Sequence, residues 1–215
     1  MELKSISSKK MYTNLKNKRI IGFVGKKNSG KDTAGDYLIN RFNYIRYAFG
    51  DPVKKICKIL FNLSEEQLND RVLKEAIDNR WGISPREMFQ KIGTEFGQDM
   101  IFTLFPKLKN NISFKQNQLW VNLCKSWLDN IENKDKNIVI TDVRFKHEAE
   151  FIKNQGGLLI HIYRDISNSS NDCHVSETEI NDIIKDKNLI DFEVDNNFQL
   201  LDLYSQIDKI IYVPF

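Results

Sequence analysis

Gly25-Lys26-Lys27-Asn28-Ser29-Gly30-Lys31-Asp32-Thr33 has the spacing G-x-x-x-x-G-K. That spacing suits phosphate. Its glycines permit a tight turn that aims successive N–H groups at phosphate oxygens, and the start of a following helix adds its positive end. Lys31 can then reach the terminal phosphates of a nucleotide, where charge accumulates during transfer. The candidate donor contacts are Lys27, Asn28, Ser29, Gly30, Lys31, Asp32 and Thr33. A Ser or Thr ordinarily follows the lysine and ligates Mg²⁺. Here Asp32 takes that place and Thr33 comes one later. A carboxylate can bind the metal directly, bind it through water, or act on the surroundings of an acceptor. The plain alternative is an acid favoured at a helix N-terminus.

Other candidates are scattered. Asp142 closes an apolar run, where phosphate-loop proteins place a metal-organising acid; a cap is its plain alternative. Asp32, Thr33 and Asp142 form the candidate metal set. Arg144 can grip a phosphate in bidentate fashion, or pair with Glu148 at i+4. Arg86 heads a helix, where the dipole offers a cation nothing, so an anionic partner is expected. Arg164 opens a polar stretch from which a closing lid would deliver a cation. Asp51, which also suits a helix cap, and Lys54 follow a strand pattern and face the acceptor question. Trp81 can stack a base, whereas Trp120 and Trp127 default to helix core. His147, His161 and His174 have no zinc spacing, and the polar group Asp172–Glu177 does not by itself make a hydrolytic triad.

The elements that must position these residues alternate. Short apolar runs at 19–24, 44–49, 138–141, 158–163 and 190–194 predict strands. Helical patterns fall at 32–42, from 51–52 onward, 148–154, 177–184 and 200–211. Residues 64–131 read as almost wholly helical, with a Ser84-Pro85-Arg86-Glu87 start signal. Expected inward stripes are Ala34, Tyr37, Leu38 and Phe42; Val53, Ile56, Cys57 and Leu60; Met88, Phe89, Ile92 and Phe96; Leu119, Leu123, Trp127 and Ile131; and Leu200, Leu203, Tyr204, Ile207 and Ile211. Alternation of this kind implies an α/β fold with a mostly parallel sheet and helices on both faces. Ligands bind such sheets beyond the carboxyl ends of the strands, so the phosphate loop, Asp51, Asp142 and Arg164 should meet at one rim.

Bulk properties narrow the classes. A length of 215 residues favours one domain, taken as 19–215, preceded by a basic flexible tail over 1–18. A net charge of +3 is too weak for a duplex-binding surface and suits a small anionic substrate. Cys57, Cys124 and Cys173 form no CxxC pair and read as reduced thiols of an intracellular, cytoplasmic protein. No apolar run approaches the roughly 20 residues of a membrane span.

GKKNSGKDTAGDYL at 25–38, YAFGDPVKK at 47–55, SPREMFQKIGTEFGQDM at 84–100, TDVRFKHEAEFIKNQGG at 141–157 and HVSE at 174–177 together resemble the deoxynucleoside monophosphate kinase family of phages and large DNA viruses. The SGKDT form of the loop is itself a feature of that family. The resemblance runs from about Ile20 to the C-terminus. It implies a three-layer α/β/α P-loop kinase fold of about five mostly parallel strands, with a helical substrate-binding insertion over about 50–131 and a lid over about 164–177. It implies ATP as donor, Mg²⁺ as cofactor and a deoxynucleoside monophosphate as the small-molecule partner, with a homodimer as a common assembly and the host cytoplasm as location. It puts Arg86 and Gln90 near the acceptor, Arg144 on a phosphate, and Asn196 and Asn197 near the donor adenine. Lys31, Asp32, Asp142, Arg144 and Arg164 would be the catalytic set, and Asp51, Lys54, Trp81, Arg86, Gln90 and Arg144 the acceptor set. Two readings compete. Animal-type phosphomevalonate kinase has a similar SGKD loop, and a non-catalytic nucleotide-binding module needs only the loop. Asn133-Lys134-Asp135-Lys136 resembles a guanine-reading NKxD but carries Lys136 where Asp is required.

Overall fold

The structure is a computed structural model that describes residues 20–110, 118–130, 132–165 and 175–212. The tail over 1–18, Ile131 and most of the expected lid lie outside the described residues. Five strands, β1 (Ile20–Val24), β2 (Ile45–Tyr47), β3 (Ile138–Val143), β4 (Leu158–Tyr163) and β5 (Phe192–Asp195), form one sheet in the order β2-β3-β1-β4-β5. Every pairing is parallel, with Ile21 level with Val139 on one side and Leu158 on the other. A parallel sheet is covered on both faces, which explains why the three central strands β1, β3 and β4 are mostly apolar, whereas the edge strands β2 and β5 carry Arg46 and Glu193. Ile21, Phe23, Val139, Ile160 and Ile162 point into one core and Ile20, Val24, Ile138, Ile140 and Leu159 into the other.

The helices are α1 (Lys31–Phe42), α2 (Gly50–Phe61), α3 (Glu65–Asn69), α4 (Pro85–Gln90), α5 (Ile101–Leu104), α6 (Leu119–Asp129), α7 (Lys146–Asn154), α8 (Val175–Lys185) and α9 (Leu200–Ile211). Ala34 and Leu38 of α1 and Leu203 and Ile207 of α9 fill the first core. Tyr37 stacks on Tyr204 at 4.0 Å and donates to Asp208 at 2.7 Å, which ties the two helices together. The second core collects Val53 and Cys57 of α2, Met88 of α4, Trp120 and Leu128 of α6, Ile152 of α7 and Ile183 of α8.

The middle of the chain departs from an all-helical reading. Residues 71–82 are turns closed by an antiparallel bridge between Asp78 and Ile83. Asp78 holds this stretch. Its carboxylate accepts from the backbone and side chain of Arg80 and from Gln67, and these donors hold it well below the usual carboxylate range. A π-helical run, Lys91–Met100, continues α4. It brings Gly97 so close to Trp120 that a Cβ there would lie 2.3 Å from the indole.

Three expected stripes need correction. Ile56 and Leu60 are exposed, and α2 buries only Val53 and Cys57, because nothing among the described residues covers the face that carries Ile56 and Leu60. Helix α6 buries Trp120, Val121, Cys124 and Leu128 and exposes Leu123, so its inward face is rotated from the expected one. Leu200 is exposed at the start of α9, where the chain has just left the sheet edge.

Candidate active site

The phosphate loop joins β1 to α1 at the carboxyl end of the sheet. Gly30 sits at φ 106 as the residue capping α1, and a Cβ on it would lie 2.3 Å from the Asn196 amide. Only glycine fits both demands. Asn196, just past β5, is buried and donates to the Ser29 carbonyl at 2.8 Å. Its backbone N–H donates to Tyr163, so the ends of β4 and β5 brace the loop from one side. Lys31 is also buried, and its ammonium donates to the carbonyls of Gly25 at 2.6 Å and Lys26 at 2.7 Å.

Two cavities open at this rim. One of about 350 Å³ is lined by Asn28, Gly30, Lys31, Asp32, Thr33, Arg71, Arg164 and Asn196, among others. The other, of about 820 Å³, is lined by Asp51, Lys54, Arg86, Gln90, Asp142 and Arg144, together with Arg46, Lys74 and Glu148. Asp32 lines both and is the residue they share. A wall with one carboxylate between two cationic chambers suits two anions held close together but separately.

Not every expected residue lines a chamber. Trp81 does not reach the larger cavity: its indole donates to the Phe61 carbonyl at 3.0 Å and its ring packs edge-on against Phe61. That bond is available because the 71–82 turns fold Trp81 back onto the end of α2. Lys27 points away from the small cavity and pairs with Glu75 at 3.0 Å. Asn197 closes a turn, donating to Asp195 and accepting from the backbone of Asp165.

Asp142, the penultimate residue of β3, has both carboxylate oxygens engaged, accepting from Phe49 N and Gly50 N, each at 2.8 Å. These are the first N–H groups of α2, which has no side-chain cap of its own. The expected cap at Asp51 is therefore supplied from β3, and Asp51 instead pairs with Arg46 at 3.1 Å. Each Asp142 oxygen keeps a second lone pair. Burial pushes the Asp142 carboxyl up, against the pull of those two N–H groups.

Glu148, four residues on from Arg144, is buried and not on the surface. Its buried carboxylate accepts the backbone N–H of Arg144 at 2.8 Å and of Phe145 at 3.1 Å. Burial first, and neighbouring Asp142 second, push its pKa up to about 8. In the larger cavity Lys74 is held below its ordinary pKa by burial and by the charges of Lys54 and Arg86. These three cations repel one another, and an anion among them would relieve that repulsion.

Sequence reasoning missed Arg71, Lys74, Arg46 and Glu148. The first two sit in a stretch read as helix, and a helical reading gives no reason to aim two cations three residues apart at different chambers. Glu148 had a signal, its i+4 spacing from Arg144, but spacing suggests an exposed ion pair and not a buried backbone clamp.

The metal question turns on oxygen donors. Asp32 and Thr33 present a carboxylate and a hydroxyl at the small cavity, the hard oxygens Mg²⁺ prefers. Among the described residues no cluster of three or more His, Cys, Asp or Glu gathers.

A phosphate loop at β1, the strand order β2-β3-β1-β4-β5 and two adjoining cationic cavities define a P-loop kinase, an enzyme that moves a phosphoryl group from a nucleotide to a second small molecule. The family model for deoxynucleotide monophosphate kinase matches residues 19–87 and 60–207. The chain belongs to the deoxynucleotide monophosphate kinase family. A protein of Acanthamoeba polyphaga mimivirus, provisionally named a deoxynucleotide monophosphate kinase, is 41% identical over 87% of this chain and 93% of its own length. The deoxynucleotide monophosphate kinase of Enterobacteria phage T4 is 21% identical over 91% of this chain and 99% of its own. Among solved structures, a dephospho-CoA kinase from Campylobacter jejuni superposes with a TM-score of 0.47 at 12% identity, covering 90% of this chain and 96% of that one. Among the described residues no helix is long and apolar enough to cross a membrane.

Proposed function

We propose that this enzyme transfers the γ-phosphoryl group of ATP to a deoxynucleoside monophosphate. The observation that carries the reading is the pair of cavities meeting at Asp32, one built on the phosphate loop and one lined by Lys54, Lys74, Arg86 and Arg144. ATP takes the smaller chamber, with its phosphates on the loop N–H groups and Lys31. Asn196, which braces the loop, borders the donor. A monophosphate takes the larger chamber. An oxygen of the acceptor phosphate attacks the γ-phosphorus, the bond from that phosphorus to the β–γ bridging oxygen breaks, and its electron pair stays on ADP. No covalent enzyme intermediate is needed: the protein holds two anions in line and offsets their repulsion.

Each basic residue then has a task. The Lys31 ammonium exchanges its loop carbonyls for phosphate oxygens. Arg144, on a backbone clamped by Glu148, grips the acceptor or transferring phosphate. Arg164 enters from the end of β4 beside the donor phosphates. Asp32, Thr33 and Asp142 would hold Mg²⁺, which when bound would supply neutralisation of phosphate charge. Lys27, Trp81 and Asn197 support the site from outside the two chambers. Closure of the segment over about 164–177 would exclude water, and a homodimer is compatible with this arrangement.

A coupled ADP-release assay with ATP and Mg²⁺ tests the reading against dTMP, dGMP, dCMP, dAMP, dUMP, the ribonucleotides and phosphomevalonate. Release with one or more deoxynucleotides is expected. Release with phosphomevalonate alone would reassign the acceptor, and ATP binding without release would leave a nucleotide-binding module.

A further inference from the structure

The turn that follows α3 carries a cation for each chamber. Arg71 lines the smaller cavity with Lys31, Asp32, Thr33 and Arg164. Lys74, three residues on, lines the larger one with Lys54 and Arg86. The next residue, Glu75, pairs with Lys27 of the phosphate loop at 3.0 Å. One short segment thus borders both anion chambers and is fastened to the loop between them.

The segment is built to hold that shape. The Asp70 carboxylate accepts the backbone N–H of Val72 at 2.8 Å and of Leu73 at 2.9 Å. Lys74 N donates to the Asp70 carbonyl, and Glu75 N and Ala76 N to that of Val72. The Lys74 carbonyl accepts from Arg86 N at 2.9 Å, which joins the turn to the start of α4. Val72 and Leu73, between the two cations, are exposed and bury little. Hydrophobic packing therefore does not explain the placement of this turn; its polar ties and the two chambers do. Lys74 sits where Lys54 and Arg86 already repel it, an arrangement that an anion in the larger chamber would relieve.

We propose that the Arg71–Glu75 turn is a two-cation clasp across the transfer site, with Arg71 contacting the terminal phosphates of the donor, Lys74 the phosphate of the acceptor, and the Lys27–Glu75 pair setting the turn against the loop. The proposal rests on the reading of the two chambers given above. Arg71 supplies a planar, permanently charged group beside the oxygens where charge builds as the bridging bond breaks. Lys74 supplies a point charge on the attacking side. Because both sit on one turn, filling either chamber draws the same segment inward and favours filling of the other. Lys27 and Glu75 are each about 40–45% exposed on the side chain, so their pair alone contributes little and works by orientation.

Direct nucleotide binding is the test, since it needs no acceptor. Arg71→Ala is expected to weaken ATP binding about tenfold and to leave AMP, which lacks the terminal phosphates, unchanged. Arg71→Lys should recover part of the loss. Lys74→Met should leave ATP affinity alone and weaken binding of the deoxynucleotide that the ADP-release panel selects by about tenfold. Val72→Ala, altering an exposed side chain of the same turn, should change neither, and urea unfolding confirms that each variant keeps its fold. An Arg71→Ala variant that binds ATP as the wild type does overturns the proposal, whatever the acceptor panel shows. A wild-type enzyme that is silent on the panel, yet loses ATP affinity on Arg71→Ala, would sink the choice of acceptor and keep Arg71 at the donor.

Discussion

Replacing Asp142 by Asn separates two roles that the residue could fill. As a tether it accepts two N–H groups at the start of α2, each at 2.8 Å. Hydrogen bonds to a charged acceptor contribute about 1.5–3 kcal/mol each, and loss of a helix cap costs about 0.5–2 kcal/mol. Asparagine keeps one accepting oxygen and turns an NH₂ toward the other N–H, a loss of roughly 2–3 kcal/mol. Removing a carboxylate that burial disfavours, beside Glu148, offsets part of that loss. The net cost is about 1–2 kcal/mol, or a fall in Tm of roughly 2–8 °C for a domain of this size. Loosening the first turn of α2 displaces Asp51 and Lys54, so KM for the acceptor should rise while ATP affinity holds. Calorimetry and the coupled ADP-release assay read both effects. If Tm is unchanged and the Mg²⁺ concentration needed for activity rises instead, Asp142 is a metal ligand and the tether argument fails.

Three further outcomes follow from the same geometry. Lys31→Ala should lower kcat by about 10²–10³-fold, as loss of one aimed charge does, with urea unfolding nearly unaltered because its present acceptors are loop carbonyls; undiminished turnover would remove the loop from the reaction. Gly97→Ala drives a methyl against the Trp120 indole and should cost about 1–3 kcal/mol in urea unfolding, and no loss would mean that the π-helical run yields freely. Glu148 has a folded pKa raised from 4.5 to about 8, so the folded state binds more protons than the unfolded one between those values, and stability from this group falls as pH rises through that window. Glu148→Gln should flatten the decline in Tm between pH 5 and pH 8, and a variant that declines as steeply as the wild type would place the titration elsewhere.

Much of the frame was readable from local pattern. β4 and α9 lie where their apolar runs put them, since a strand buried on both faces announces itself as continuous hydrophobic sequence. The phosphate loop was readable for a related reason: its chemistry needs consecutive residues, and one turn of backbone brings them together. The faces of α2 and α6 were not readable, because periodicity shows that a helix has an apolar stripe but not how much of it other elements cover.

The chain by itself determined the elements, the phosphate loop with its displaced hydroxyl, and a set of charged residues at strand ends. Tertiary structure decided what those charges do. Asp142 became the cap of a helix that starts 92 residues earlier, because β3 lies between β2 and β1 in the sheet. Glu148 became a buried clamp under Arg144, and Trp81 was drawn away from the acceptor chamber by the Phe61 carbonyl. Arg71 and Lys74, three residues apart, came to face different cavities. The reason is common to all of them. Local sequence sets backbone preference over a few residues, whereas the partner of a charge is set by which distant segments pack beside it and by how much water that packing leaves.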